Sequence, residues 1–266
     1  MSSSIRPAAV AGSFYPGVPQ HLAQMVRGYL SEQTVSSIRR PKALVLPHAG
    51  YIYSGPVAAT GYRLLQAFAA DVSRVVLLGP AHTVPLSGLA APSVKAFETP
   101  LGQVVLERSV LDDLAQTLSQ VKINDLAHAA EHSLEVQLPF LQIVIPSFAL
   151  VPLVIGQVST VEVAEVLRSC WGGPETLILI SSDLSHFHPY EEARKLDTAT
   201  AVAIESFRDN SLVYDSACGR YGIGGLLREA RTRQMTVERL DLRNSGDTAG
   251  DKRQVVGYGA WAFYES

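Results

Sequence analysis

Short apolar runs constrain this chain more than any other feature. They are ALVLP (43–47), RVVLLG (74–79), GQVVLE (102–107), ALVPLVIG (149–156), TLILIS (176–181) and VVGYGAWAF (255–263). Several are apolar at every position instead of alternating, a pattern that suits strands covered on both faces. Between them lie segments with helical periodicity: PVAATGYRLLQAF (56–68), LEVQLPFLQIV (134–144), VEVAEVLRSC (161–170) and EEARKLDTATAVAIESF (191–207). Alternating strand and helix predicts a single α/β domain over 1–266, with a central, mostly parallel sheet flanked by helices. The polar stretch RNSGDTAGDKRQ (243–254) reads as a surface loop before the last strand.

Composition narrows the function classes. A net charge of −3 and an isoelectric point near 6.2 give no nucleic-acid footprint. No apolar stretch approaches the roughly 18 residues of a membrane span. The opening MSSSIRPAAVAGSFYPG lacks the apolar core of a secretory leader. The two cysteines, Cys170 and Cys218, form no Cys-x-x-Cys pair, so neither a disulfide scaffold nor a structural zinc cage is expected and a reducing cytoplasm is.

The histidines repeat one arrangement. His48 follows ALVLP, His82 follows RVVLLGPA and His186 follows TLILISSDLS. In an open α/β sheet, ligands bind beyond the carboxyl ends of the strands. If these strands are adjacent and parallel, the three imidazoles meet on one rim, where neutral imidazole suits a metal ion. His132 and Glu135, three apart in AAEHSLEVQLPFL, are expected to share a helical face, the carboxylate orienting the ring; His128, one turn earlier, is the weaker candidate. Asp183 precedes His186 by three residues and is expected to raise its basicity, which suits a general base. Cys218, in DSACGRYGIGG, precedes Arg220 and a helical pattern, a setting expected to lower a thiol's pKa. Tyr51 and Tyr53 point the same way if their segment is extended; simple packing is the first expectation for them, and a hydrogen bond to an aromatic or oxygenated ligand the alternative. Cys170 reads as an inert core thiol, and His21 and His188 as surface or supporting residues.

Taken in order, AGSFYPG (11–17), PHAGYIYSG (47–55), GPAH (79–82), TPLG (99–102), EHSLEVQLPFL (131–141), SSDLSHF (181–187) and CGRYGIG (218–224) resemble the Memo family, whose prokaryotic members are termed AmmeMemoRadiSam system protein B. The resemblance implies a fold similar to the LigB-like class III extradiol dioxygenases, non-haem iron enzymes. It implies His48, His82 and Cys218 as metal ligands, His186 as acid/base with Asp183 beside it and His132 in the same cavity; a small-molecule or peptide ligand bound there is expected to meet Tyr53. Fe(II) is the expected metal, with copper or zinc as alternatives, because a thiol replaces the carboxylate of the ring-cleaving enzymes and sulfur favours softer ions. Ring cleavage does not follow from the fold. Redox or oxygen chemistry is the leading expectation. Two rivals stay open: a non-catalytic component working with a radical-SAM protein and an AMMECR1-like protein, and a zinc hydrolase.

Overall fold

The computed structural model describes residues 4–34 and 39–265. Its strands in chain order are β1 (Ile5–Arg6), β2 (Ala43–Leu46), β3 (Arg74–Pro80), β4 (Leu89–Ala91), β5 (Ala96–Thr99), β6 (Gly102–Val105), β7 (Val121–Ile123), β8 (Ala149–Ile155), β9 (Thr176–Ser181), β10 (His186–His188), β11 (Thr236–Asn244) and β12 (Val255–Tyr264). The helices are α1 (Pro19–Ser31), α2 (Tyr51–Leu65), α3 (Arg108–Thr117), α4 (Leu126–Ala129), α5 (Leu138–Val144), α6 (Thr160–Ser169), α7 (Tyr190–Glu205), α8 (Arg220–Thr232) and α9 (Ser245–Thr248). No helix among the described residues is long and apolar enough to cross a membrane.

The main sheet runs β10-β12-β2-β9-β3-β8-β4-β7, with β11 paired to β12. Its centre, β2-β9-β3-β8, is parallel as expected. The flanks are not: β12 is antiparallel to β2, β10 and β11, and β4 is antiparallel to β8, so the sheet is mixed. The difference was hidden in 236–244, TVERLDLRN, whose alternating half-buried pattern makes a covering strand on β12. GQVVLE also departs from expectation. Only Val104 of β6 is buried, and the strand joins β5 and β1 in a separate small sheet. By contrast, every residue of β2 and β9 is buried. That explains their unbroken apolar sequences, because helices cover both faces of a parallel centre.

Two helical groups provide the cover. α1, α2 and α5 pack on one another, with α2 also against β2 and β12. α6 and α8 pack on one another, with α8 also against β9 and β3. α2 sits so close to the sheet that a Cβ on Gly61 would lie 2.6 Å from Leu46 Cδ2. α6 begins on a complete capping box, Ser159 with Glu162, which satisfies two of its free N–H groups. Register then sets the site. Leu46 pairs with Ser181 and Leu78 with Ile180, so β2, β9 and β3 leave the sheet at nearly one level.

Candidate metal centre

Each strand tip delivers one element of the centre. β2 ends at Leu46, and Pro47, with no N–H, cannot extend the ladder. The His48 N–H then donates to Asp183 Oδ1 (2.7 Å), two residues beyond the end of β9. His48 is 1% exposed, and its Nδ1 lies 2.9 Å from Ser181 Oγ. Burial first, then the nearby rings of His82, His132 and His186, push its pKa well below the ordinary histidine value, so the ring is neutral.

β3 ends at Pro80, and the His82 N–H donates to Glu131 Oε2 (2.6 Å) while its Nδ1 meets Glu131 Oε1 (2.9 Å). The backbone N–H groups of His132 and Ser133 reach the same Oε1, each at 2.9 Å. Burial works to raise the Glu131 pKa, but these hydrogen bonds and the His82 ring outweigh it and hold the carboxyl at about 2. The third element comes from the turn before α8. Cys218 N–H donates to the Asp183 carbonyl (3.3 Å), Asp183 N–H donates to Cys218 Sγ (3.3 Å) and Gly219 N–H donates to Ser182 Oγ (2.9 Å). Only glycine fits at 219, where a Cβ would come within 2.6 Å of Ser182 Cβ. The result places Cys218 Sγ 3.4 Å from His48 Nε2. One ligand atom each from His48, His82 and Cys218 lie within 4.8 Å of one another.

A cavity of about 900 Å³ opens beside these residues, with His132, Asp183, His186 and Tyr53 on its wall. The His132 ring stacks on His82 at 4.6 Å between centroids. Burial lowers the pKa values of His132 and His186, leaving both rings neutral proton acceptors near neutral pH. Burial also raises Asp183 to about 7 despite the His48 N–H it accepts. Phe187, exposed and with a positive φ of 61°, stands at the cavity edge. A second cavity, about 410 Å³, reaches Cys218 past Ala81 and Tyr221.

Sequence reading and structure part company at several residues. Glu135 does not orient His132. Residues 135–137 form a 3-10 turn that carries the carboxylate away to Arg6 Nη1 (2.7 Å), the Tyr15 hydroxyl (2.5 Å) and the Ala9 and Val10 N–H groups. The carboxylate beside His132 is Glu131, which the sequence reading passed over although it directly precedes the histidine. Asp183 makes no hydrogen bond to His186 among the described residues and instead ties the β2 and β9 tips together. The Cys218 thiol is not activated: burial first, then the Asp183 carboxylate, push it up to about 12. Arg220 turns away, 3.0 Å from the Tyr221 hydroxyl and over the Tyr214 and Tyr221 rings. Gly50 caps a helix rather than continuing a strand, so Tyr51 is buried with its hydroxyl on the Val136 carbonyl (2.7 Å) while Tyr53 faces the cavity. The 243–254 stretch is not simply surface: Ser245, Gly250 and Arg253 line the same cavity. His21 is exposed, His188 pairs with Glu192, and His128 is buried with Nε2 on the Ala90 carbonyl, all outside the cluster. Cys170 is buried with its thiol on the Val166 carbonyl.

The donor set tests whether an ion fits. Two imidazoles and a sulfur, drawn from segments up to 170 residues apart, meet at ligating separation. A cation here offsets the burial that disfavours thiolate, since a bound metal deprotonates its thiol. His82, Glu131 and His132 form an overlapping group, but Glu131 already accepts four N–H contacts, so its role is to orient His82. The residues fit a soft or borderline ion at His48, His82 and Cys218.

The chain matches the model of the Memo-like proteins over residues 6–262. A MEMO1 family protein of Thermotoga neapolitana is 36% identical over 282 residues, spanning 96% of this chain and 98% of that one. Another, of Ignicoccus hospitalis, is 36% identical over 286 residues, spanning 97% of this chain and 98% of that one. A third, of Archaeoglobus fulgidus, is 35% identical over 274 residues, spanning 97% and 99%. A mixed α/β sheet with these strand tips, matched end to end by such relatives, makes this chain a member of the Memo family.

Proposed function

We propose that this protein binds an iron or copper ion through His48, His82 and Cys218 and supports redox or oxygen chemistry on a small molecule held in the adjoining cavity. The observation that carries the reading is the meeting of three ligand atoms within 4.8 Å, while each imidazole uses its Nδ1 elsewhere. Held by His48, His82 and Cys218, such an ion would supply Lewis-acid and redox chemistry.

The chain's own residues do the rest. Glu131 holds His82 from behind, and Asp183 fixes the β2 tip by its bond to the His48 N–H. His186, neutral on the cavity wall, takes a proton from the bound molecule, and His132 offers a second neutral acceptor next to His82. Tyr53 and Phe187 flank the mouth and contact the ligand's apolar part.

The test is metal analysis of untagged protein purified without chelator, for the native chain, His48→Ala and Cys218→Ala. Stoichiometric iron or copper in the native chain, lost in both variants, is the expected result. Equal content in all three removes the reading.

A further inference from the structure

Two backbone carbonyls behind the centre can only accept hydrogen bonds, and they set the direction of every bond between them and His48. The Pro47 carbonyl receives Gln137 Nε2 at 2.9 Å. This fixes the Gln137 amide, because the reversed amide would set its oxygen against the Pro47 oxygen. Gln137 Nε2 also donates to Ser181 Oγ (2.7 Å), and Gln137 Oε1 accepts the Tyr62 hydroxyl (2.7 Å). The Ser133 carbonyl receives Ser181 Oγ at 2.6 Å, a contact that uses the single proton of that hydroxyl.

Ser181 Oγ is therefore an acceptor toward everything else that approaches it. What approaches is Gln137 Nε2 and, at 2.9 Å, His48 Nδ1. An acceptor facing Nδ1 requires the proton on Nδ1, which leaves Nε2 with its lone pair. Tyr62, Gln137, Ser133, Ser181 and His48 are all buried, so solvent does not compete for these bonds.

We propose that Ser181, held by Gln137 and the Ser133 carbonyl, is a positioning residue that locks His48 in the Nδ1–H tautomer before any ion arrives. The bare Nε2 then faces Cys218 Sγ at 3.4 Å. With the opposite tautomer, an N–H would point at the ligating position. The purpose assigned to the lock rests on His48 being a metal ligand. The proton's position does not.

The experiment uses the full-length, metal-free, ¹⁵N-labelled protein and reads both His48 ring nitrogens by long-range proton–nitrogen correlation. The native chain is expected to show a protonated Nδ1 and a bare Nε2. Ser181→Ala should release this preference, and Ser181→Thr, which keeps the hydroxyl, should restore it. In chelator competition with iron(II) and with copper, Ser181→Ala should bind about 10- to 100-fold more weakly, with recovery in Ser181→Thr. A native His48 protonated at Nε2, or a folded Ser181→Ala with an unchanged ring, overturns the inference. If Ser181→Ala does not fold, the native spectrum alone decides. A native Nδ1–H tautomer in a chain that takes up neither metal sustains the lock while removing the metal reading.

Discussion

His48 stands in front of a hydroxyl and an amide, whereas His82 stands in front of a carboxylate, and the two supports differ in charge and in surroundings. His48 is 1% exposed and backs onto a region where the Pro47 and Ser133 carbonyls are acceptors. A carboxylate there would meet carbonyl oxygens, so a neutral hydroxyl does the work. The His82 side chain is 29% exposed, and the bend at 131–133 turns backbone N–H groups toward one point. A buried charge persists where donors converge on it, and Glu131 has them. Two ligands of one centre are thus oriented by different chemistry because the backbone behind them offers different polarity.

Glu131 should show the largest effect. Glu131→Ala leaves the His82, His132 and Ser133 N–H groups without their acceptor and should cost about 3–5 kcal/mol in urea unfolding. Glu131→Gln tests the charge alone. The folded-state pKa of about 2 lies below the ordinary 4.5, so the stabilisation from the charge is complete above about pH 4.5 and is lost as pH falls toward 2. The gap between native protein and Glu131→Gln should accordingly be widest near neutrality and close over that window. A gap that does not change with pH removes the carboxylate as the anchor of His82.

Ser181→Ala should cost less, about 1–2 kcal/mol, from losing a buried hydroxyl with three partners. Because no charge is involved, its loss measured by the same unfolding series should stay flat between pH 5 and pH 3 (about one unit on either side of the ordinary carboxylate value). An acid dependence like that of Glu131 would erase the distinction between the two supports.

The sequence displays one half of this arrangement and conceals the other. His48, His82 and the Asp183 segment each follow an apolar run by a residue or two, and because β2, β9 and β3 are adjacent and nearly level, that pattern becomes convergence. Around Cys218 the sequence offers Gly219, Arg220 and a helical pattern, whereas the place of its sulfur depends on how closely the turn before α8 packs against Ser182. The supporting residues gave almost no signal. Glu131 and Glu135 look alike in EHSLE, and a single 3-10 turn sends one to His82 and the other to Arg6. Ser181 reads as the last residue of an apolar strand, and nothing local shows that its hydroxyl meets a glutamine 44 positions earlier. The antiparallel flanks of the sheet are concealed for a related reason, since β11 is half-buried and its polar residues mask its pairing with β12.

The smallest effect is expected at the far end of the His48 support. Tyr62 is buried, stacked on Phe140 at 4.8 Å, and its hydroxyl ends the chain of bonds at Gln137 Oε1. Tyr62→Phe keeps the stacking and leaves one amide oxygen without its donor, a loss of about 1 kcal/mol. It should lower the urea midpoint without changing the slope, since the surface exposed on unfolding is nearly the same. The His48 tautomer should not change, because the Ser133 and Pro47 carbonyls, rather than the phenol, fix the direction of the bonds. A Tyr62→Phe protein whose His48 ring populates both tautomers would place the control at the tyrosine and reverse the order of causes proposed for this half of the centre.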